Sequence, residues 1–428
     1  MKFSLLLWLY RLVFLLLTPA ILFLLLVRSI KNSQYRERLV ERLGFLSTKL
    51  KPHSIIIHAA SVGEVIAIKS VVEKLLAAHP NTAITVTCFT PTGSAQIKKL
   101  FAHRVQHCYL PLDNFISTWL FLKRLKPQIL VFMETELWPN LVAQSSFEKI
   151  PLVLINARLS AKSCRQYQKI SWLIQPTIQA FNAILAQSKE HQQNFIDLGA
   201  KTEQCNVLGN LKYDISLTKD IKSKVVMLSA FIAKPRMVWL VASTHEGDDE
   251  IILSAFKIIK QQFSALLLIL VPRHPERFND IAKQCTQASF NTVRRSEATP
   301  VNAEIDIWLL DSLGELVAAY ALADIVTMGG TFSHIGGHNP LEAALFKKAL
   351  VVGADMVNFT EVLNQLSANN AIVQLTDQNN VDKQLAVLIT KLLSDDQLRK
   401  QLGENAFTVM QANQGASDKT LAVISQLL

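Results

Sequence analysis

The chain has 428 residues, half of them hydrophobic and 18% charged. That composition excludes a disordered chain and fits two or three domains of roughly 100–200 residues each. Only one stretch, near the N-terminus, has the length and apolarity to cross a bilayer, which argues against a polytopic membrane protein. The net charge of +10 is uneven: residues 1–52 hold nine Lys and Arg against two acids, Glu37 and Glu41. A nucleic-acid binder carries such an excess on a folded domain. Beside an apolar segment it fits anionic lipid, worth about 1 kcal/mol per nearby basic residue; no nucleic-acid partner is expected. The five cysteines, Cys88, Cys108, Cys164, Cys205 and Cys285, are widely spaced and form no CxxC. They indicate neither a zinc site nor a disulfide framework and fit a reducing compartment.

Residues 1–28 form the first segment. Phe3 to Val27 is almost wholly apolar, interrupted mainly by Arg11, Thr18 and Pro19. It exceeds the apolar core of a cleaved signal peptide and lacks a small-residue cleavage site before Arg28. It is therefore read as a retained anchor, with the basic run from Arg28 to Lys51 keeping the globular part on the cytoplasmic side. Crossing the bilayer and lying at its interface both remain open, because Arg11 can snorkel in either case.

Beyond residue 52, short apolar runs alternate with amphipathic ones. Strands are expected at Ser54–His58, Ala83–Cys88, Gln128–Phe132, Leu152–Ile155, Ala183–Ala186 and Asn206–Leu208. After a polar, Lys-rich stretch at Gly209–Pro235 they resume at Val238–Ala242, Leu266–Val271, Ile305–Leu309, Asp324–Met328 and Leu350–Val352. Such alternation implies βαβ units and parallel sheets, hence two doubly wound α/β units joined by a linker, with a ligand cleft between them. Ligands of such sheets bind outside the carboxyl ends of the strands. A nucleotide-sugar transferase and a periplasmic-type binding protein both suit that plan; the anchor and the reduced cysteines favour the transferase.

Five strings at strand ends carry candidate chemistry. In His58-Ala-Ala-Ser61-Val-Gly-Glu64, Ser61 and Glu64 match a capping box, yet Glu64 is also placed to take a proton from an attacking hydroxyl. Met133-Glu134-Thr-Glu136-Leu-Trp138-Pro-Asn140 offers two carboxylates near the same crevice, or two acids facing a helix macrodipole. In Gly209-Asn-Leu-Lys212-Tyr-Asp214, Lys212 is either a solvated lysine or a cation for a departing phosphate. Pro272-Arg273-His274-Pro275 follows an apolar strand, and Arg273 suits bidentate pairing with phosphate or carboxylate. Gly329, Gly330, Gly336 and Gly337 fall within nine residues of a chain with 14 glycines. They precede His338-Asn339-Pro340-Leu341-Glu342, where Asn339 reads as N-cap, Pro340 as N1 and Glu342 as N3. Close backbone approach and a helix N-terminus favour nucleotide phosphate there. Asp311-Ser312-Leu313-Gly314-Glu315, also before a helix, could supply backbone N–H groups to the same nucleotide. GxxxxGK[ST] and HExxH are absent, and Asp248-Asp249-Glu250 reads as dipole compensation at a helix start. No metal and no cofactor are expected.

Together ASVGE, METELWPN, NARLS, GNLKYD, PRHPERF and GGHNPLEA, in that order, resemble the Kdo (3-deoxy-D-manno-octulosonic acid) transferases of Gram-negative lipopolysaccharide synthesis, glycosyltransferase family 30. The resemblance runs from the anchor through Glu342. It implies a GT-B fold with two Rossmann-like domains: an acceptor domain at 29–225 and a CMP-Kdo-binding domain at 226–428, with the last helix free to return to the N-terminal domain. It also implies an inverting transfer of Kdo from CMP-Kdo to the lipid A precursor, lipid IVA, at the cytoplasmic face of the inner membrane. Glu64 matches the family's general base, and Glu134 and Lys212 match its transition-state stabilisers. Pro272-Arg273, Leu313-Gly314-Glu315 and Asn339-Pro340-Leu341-Glu342 match its CMP-binding segments. Leu313 stands where many members have Met, and Thr331 where Ser is common. Two other functions compete: a membrane-associated GT-B transferase using a UDP-sugar, and an anchored nucleotide- or sugar-binding module without catalysis.

Overall fold

The computed structural model describes residues 5–215, 217–233 and 236–428. The chain divides into two compact units, one comprising residues 1–214 and 413–428, the other residues 215–412.

In the first unit, seven strands form one parallel sheet: β1 (Ile55–His58), β2 (Ile84–Cys88), β3 (Gln106–Tyr109), β4 (Ile129–Met133), β5 (Leu152–Ala157), β6 (Ala183–Ala186) and β7 (Cys205–Val207). Their order is β3-β2-β1-β4-β5-β6-β7. The central strands are runs of Ile, Leu, Val and Phe, buried on both faces, as a sheet covered by helices on both sides demands. The order reverses between β1 and β4, so the loops leaving these two strands diverge and open a crevice at their carboxyl ends.

The second unit repeats the plan with β8 (Val238–Thr244), β9 (Leu267–Pro272), β10 (Thr292–Arg294), β11 (Ile307–Leu309), β12 (Ile325–Met328), β13 (Ala349–Val352) and β14 (Val373–Gln374). All its pairings are parallel, in the order β10-β11-β9-β8-β12-β13-β14. Here the reversal lies between β8 and β12.

Three strands were not expected from the sequence: β3, β10 and β14. All lie at sheet edges, where one side stays open and no continuous apolar run is needed. The stretch at Gly209–Pro235 is also more structured than a linker. It holds a 3₁₀ turn, Leu211–Tyr213, and a helix, Lys219–Ser229. That helix packs on helix Leu316–Ala319 of the second unit. The chain therefore passes between units at Asp214–Ile215, earlier than the expected boundary at 225/226.

The C-terminal helix Ala416–Leu427 belongs to the first unit, where it packs on helix Lys69–Ala78. The N-terminal helix runs from Leu5 to Lys31. It is the one helix among the described residues long and apolar enough to cross a membrane.

Candidate functional site

The first unit gathers its carboxylates where β1 and β4 end. Ser61, extended at φ −120°, caps helix Val62–Ala67, which brings Glu64 back over the end of β1. The Glu64 carboxylate accepts from the Ala60 N–H at 2.9 Å and from the Ser61 hydroxyl at 2.8 Å. It is thus a capping group, but a perturbed one. Burial, opposed by the Ala60 hydrogen bond and helped by the charges of Glu134 and Glu136, pushes its pKa up to about 7. A plain solvated cap would stay near the ordinary carboxylate range. The capping and the chemical readings of Glu64 are compatible, and a base poised near neutrality is suited to proton transfer.

Glu134 follows β4 directly, in the left-handed region at φ 55°, with its N–H on the Ile155 carbonyl at the end of β5. Glu136 accepts from Trp138 Nε1 at 2.9 Å and lies 3.5 Å from His58 Nε2. His58 in turn meets Thr87 Oγ1 at 3.0 Å, and Trp138 stacks on Phe89. The structure brings Glu64, Glu134 and Glu136 into one electrostatic group.

Lys212 sits on the turn Leu211–Tyr213, and the pinning of that turn was missed by sequence reasoning. Asn156, at φ 50° in the irregular stretch of β5, accepts from the Leu211 N–H at 2.9 Å. Asn210 accepts from the Lys212 N–H at 3.0 Å. Asp214 accepts from the N–H groups of Gly415 and Ser417, so it caps the C-terminal helix. The strings around Asn156 and Asp214 were recognised, but only the packing gives these residues work.

In the second unit the glycine-rich turn leaves β12. Gly329 comes so close to the end of β8 that a Cβ there would lie 2.6 Å from the Ser243 carbonyl oxygen and 2.7 Å from Thr244 Cα. Gly330 adopts φ +70° and donates its N–H to Asp248 Oδ2 at 2.6 Å; the same oxygen accepts from the His245 N–H at 2.8 Å. Asp248 and Asp249 are fully buried, and Asp249 pairs with Arg277. Dipole compensation is therefore too weak a description: these two acids bind the ends of β8, β9 and β12 together.

Pro272 ends β9, and exposed Arg273 donates its backbone N–H to the Thr244 carbonyl at 3.0 Å. His245 and His338 stack with 5.1 Å between centroids and share a hydrogen bond of 2.9 Å between their Nε2 atoms. His274 stands edge-on to His245. Burial, then the charges of His245, Arg273 and His274, lower the His338 pKa to about 4, so this pair is neutral at pH 7. Spacing in the sequence does not connect these histidines; the fold brings all three near Arg273.

The helix after the glycines starts one residue later than expected. It covers Leu341–Ala344, with Pro340 rather than Asn339 at the N-cap position. Asn339 Oδ1 still accepts from the Leu341 N–H at 3.1 Å. Glu342 is half-buried, and its charge helps raise the pKa of the buried Tyr320 hydroxyl. The loop after β11 carries exposed Leu313, Gly314 at φ +82° and the mostly buried Glu315. Glu315 accepts from Arg295 at 3.0 Å and from the Ser312 hydroxyl, which ties its carboxylate inward. The Gly314 carbonyl accepts from Lys224 Nζ at 3.3 Å. The structure brings Arg273 near His338 of the glycine-rich turn, and Leu313–Glu315 lie in the loop that leaves β11. Among the described residues, no group of three or more His, Cys, Asp or Glu is placed to hold a metal ion.

Residues 37–215 match the family model described as 3-deoxy-D-manno-octulosonic-acid transferase (kdotransferase). A 3-deoxy-D-manno-octulosonic acid transferase of Haemophilus influenzae is 38% identical over 421 residues, covering 98% of both chains. One from Rickettsia felis is 33% identical over 374 residues, covering 87% of this chain and 79% of its own. The UDP-GlcNAc 2-epimerase of Neisseria meningitidis superposes with a TM-score of 0.57 at 15% identity, over 87% of this chain and all of that one. That likeness bears on the fold alone: two parallel-sheet α/β units of the GT-B kind.

Proposed function

This chain belongs to the 3-deoxy-D-manno-octulosonic acid (Kdo) transferase family and is a glycosyltransferase, and from that premise we propose that it moves Kdo from CMP-Kdo to a hydroxyl of the lipid A precursor, lipid IVA, with inversion at the anomeric carbon. Glu64 takes the proton from the acceptor hydroxyl as the oxygen attacks the anomeric carbon. The bond from that carbon to the phosphate oxygen breaks, and CMP leaves with the electron pair. A single displacement of this kind needs no covalent intermediate. Glu134 and Lys212 act on the charge that develops in the transition state. Pro272-Arg273, Leu313-Gly314-Glu315 and Asn339-Pro340-Leu341-Glu342 bind CMP.

The observation that carries this reading is the Glu64 carboxyl, held by Ala60 and Ser61 at a strand end with a pKa near 7. An acid there in the ordinary carboxylate range would be a poorer base at neutral pH. Exposed Arg273 offers the charge that a nucleotide phosphate needs. The family's reaction, the basic run after the apolar helix and the membrane-bound nature of lipid A precursors support a place at the cytoplasmic face of the inner membrane, with anionic lipid as a further partner.

The test is incubation of the full chain with CMP-Kdo and a tetra-acylated lipid A precursor, followed by mass spectrometry. A mass gain of one or more Kdo units is expected, and its persistence in excess EDTA. Glu64→Gln should lower turnover by about 10²–10⁴, the usual contribution of a general base, while CMP still binds. Competition by UDP and not by CMP would replace this reading with a UDP-sugar transferase. Unchanged turnover in Glu64→Gln would remove Glu64 from the chemistry.

A further inference from the structure

The N-terminal helix has the length of a transmembrane span, yet one stripe of it is occupied by its own protein. Leu7, Thr18 and Leu25 are buried, and Tyr10, Arg11, Phe14, Ile21 and Leu22 are partly covered. These positions recur at three- and four-residue intervals, one face of a helix. From Leu7 to Leu25 the stripe is about 27 Å long at 1.5 Å per residue, close to the ~30 Å thickness of a hydrocarbon core.

Named bonds fix this face to the first unit. The Tyr10 hydroxyl donates to Asp113 Oδ2 at 2.8 Å. Asp113 is buried and also accepts from the N–H groups of Asn140 and Leu141, each at 2.9 Å, capping helix Pro139–Phe147. Arg11 Nε donates to Asn140 Oδ1 at 3.1 Å, and Asn114 Nδ2 donates to Thr18 Oγ1 at 3.2 Å. Leu7 packs with Ala143 and Leu173. Tyr10, Arg11 and Thr18 thus lie on the face turned to the protein.

We infer that this helix lies in the plane of the membrane interface, its inner face on the first unit and its outer faces in lipid, and does not cross the bilayer. A crossing would carry the first half of the helix through the hydrocarbon, away from Asp113, Asn114 and Asn140, leaving a buried carboxylate short of a donor and Arg11 in lipid. Lying flat keeps every one of these bonds. The outer faces are those an interfacial helix needs: Trp8, Leu12, Leu16, Phe23 and Ile30 are exposed.

The surface continues onto the folded unit. Phe115, Ile116 and Trp119 of helix Phe115–Leu125 are exposed. The Arg11 guanidinium lies 4.7 Å from the ring centroids of both Trp8 and Phe115. Lys123 Nζ lies 4.6 Å from the Trp119 ring. Trp beside Lys and Arg is the chemistry of the headgroup layer, where amphipathic rings sit at the water boundary. The occupant of this surface is a bilayer leaflet, preferentially an anionic one.

The two arrangements place the N-terminus on different sides. The five native cysteines are buried, so single cysteines introduced as Lys2→Cys and Lys69→Cys in the full chain report cleanly; Lys69 is exposed on the first unit. Spheroplasts expressing each variant are treated with a membrane-impermeant maleimide, intact and after lysis. Equal sidedness is expected, with labelling of both rising at least tenfold on lysis. Reaction of position 2 in intact spheroplasts, with position 69 protected, overturns the in-plane helix. Reaction of both in intact spheroplasts keeps it but contradicts the cytoplasmic location proposed above. An N-terminal epitope tag probed by protease gives the same reading without depending on thiol reactivity: cleavage before lysis, with the folded units protected, overturns the proposal.

Discussion

The Ser61 hydroxyl holds Glu64 twice, accepting from the Glu64 backbone N–H at 3.3 Å and donating to its Oε1 at 2.8 Å. The helix cap and the proposed base are therefore one hydrogen-bonded unit. Ser61→Ala removes the cap, at a cost of about 0.5–2 kcal/mol. It also removes a bond that favours the charged carboxylate, so the Glu64 pKa should climb above its value of about 7. The acid limb of the kcat/KM profile should move to higher pH. A limb that stays put while stability drops would leave Ser61 as a cap and nothing more.

Glu136 tests the same group from the opposite direction. Its charge, with that of Glu134, raises the Glu64 pKa. Glu136→Gln keeps an acceptor for Trp138 Nε1 but loses the charge, so the acid limb should shift to lower pH. Glu134→Gln should shift the limb the same way, and as a proposed transition-state stabiliser it should also lower the plateau of kcat. The raised pKa has a stability side. The folded chain holds the Glu64 proton more tightly than the unfolded chain, so its favourable contribution is complete below about pH 4.5 and fades as pH rises through about 7. Glu64→Gln should thus unfold at a higher temperature than the parent at pH 8 but not at pH 4, as followed by circular dichroism.

Much of this was legible in the sequence. Runs such as Ile55–His58 and Leu267–Pro272 announce themselves because a parallel strand buried on both faces is apolar throughout. Edge strands such as Gln106–Tyr109 lack that signature. The strings around Glu64, Glu134 and Lys212 mark strand ends. The sequence does not say what holds them there: Asn156 reaching Leu211 across 55 positions, or Asp248 reaching Gly330 across 82. Asp248 illustrates the reason. An acid at a helix start has a sufficient local explanation, and only packing adds the distant N–H group that makes it a clamp on the turn. The three histidines are similar, since contact between residues 245, 274 and 338 is a property of strand order and not of spacing.

Gly329 carries a prediction about donor binding. Its φ needs no glycine; the neighbouring strand does. A methyl group would meet backbone atoms of Ser243 and Thr244 at 2.6–2.8 Å, and backbone at the end of a buried strand cannot swing aside as a side chain can. Gly329→Ala should push the turn out, strain the Gly330–Asp248 bond and lower stability by about 1–3 kcal/mol, the usual cost of overpacking. CMP affinity, measured by titration calorimetry on the full chain, should fall. Retained affinity would place the CMP phosphate elsewhere than the glycine turn.

Asp214 closes the chain back on itself. Its carboxylate takes the N–H groups of Gly415 and Ser417, the unpaired donors at the start of helix Ala416–Leu427. That helix then buries Ala416 and Ile424 in the same apolar cluster as Leu211, one residue from Lys212. Two further contacts hold the helix: Lys74 with Asp418, a surface ion pair that contributes little alone, and the Ser70 hydroxyl, which donates to the buried Ser417 hydroxyl at 3.0 Å. Asp214→Ala should therefore loosen this helix first: amide exchange across residues 416–427 should quicken by roughly 10-fold, about the 0.5–2 kcal/mol value of a cap, while the sheet of the second unit is unaffected. Because Leu211 loses part of its cover, the Lys212 turn should soften and kcat fall with little change in the KM for CMP-Kdo. Faster exchange with an unchanged kcat would separate the helix from the chemistry and leave Asp214 a purely architectural residue.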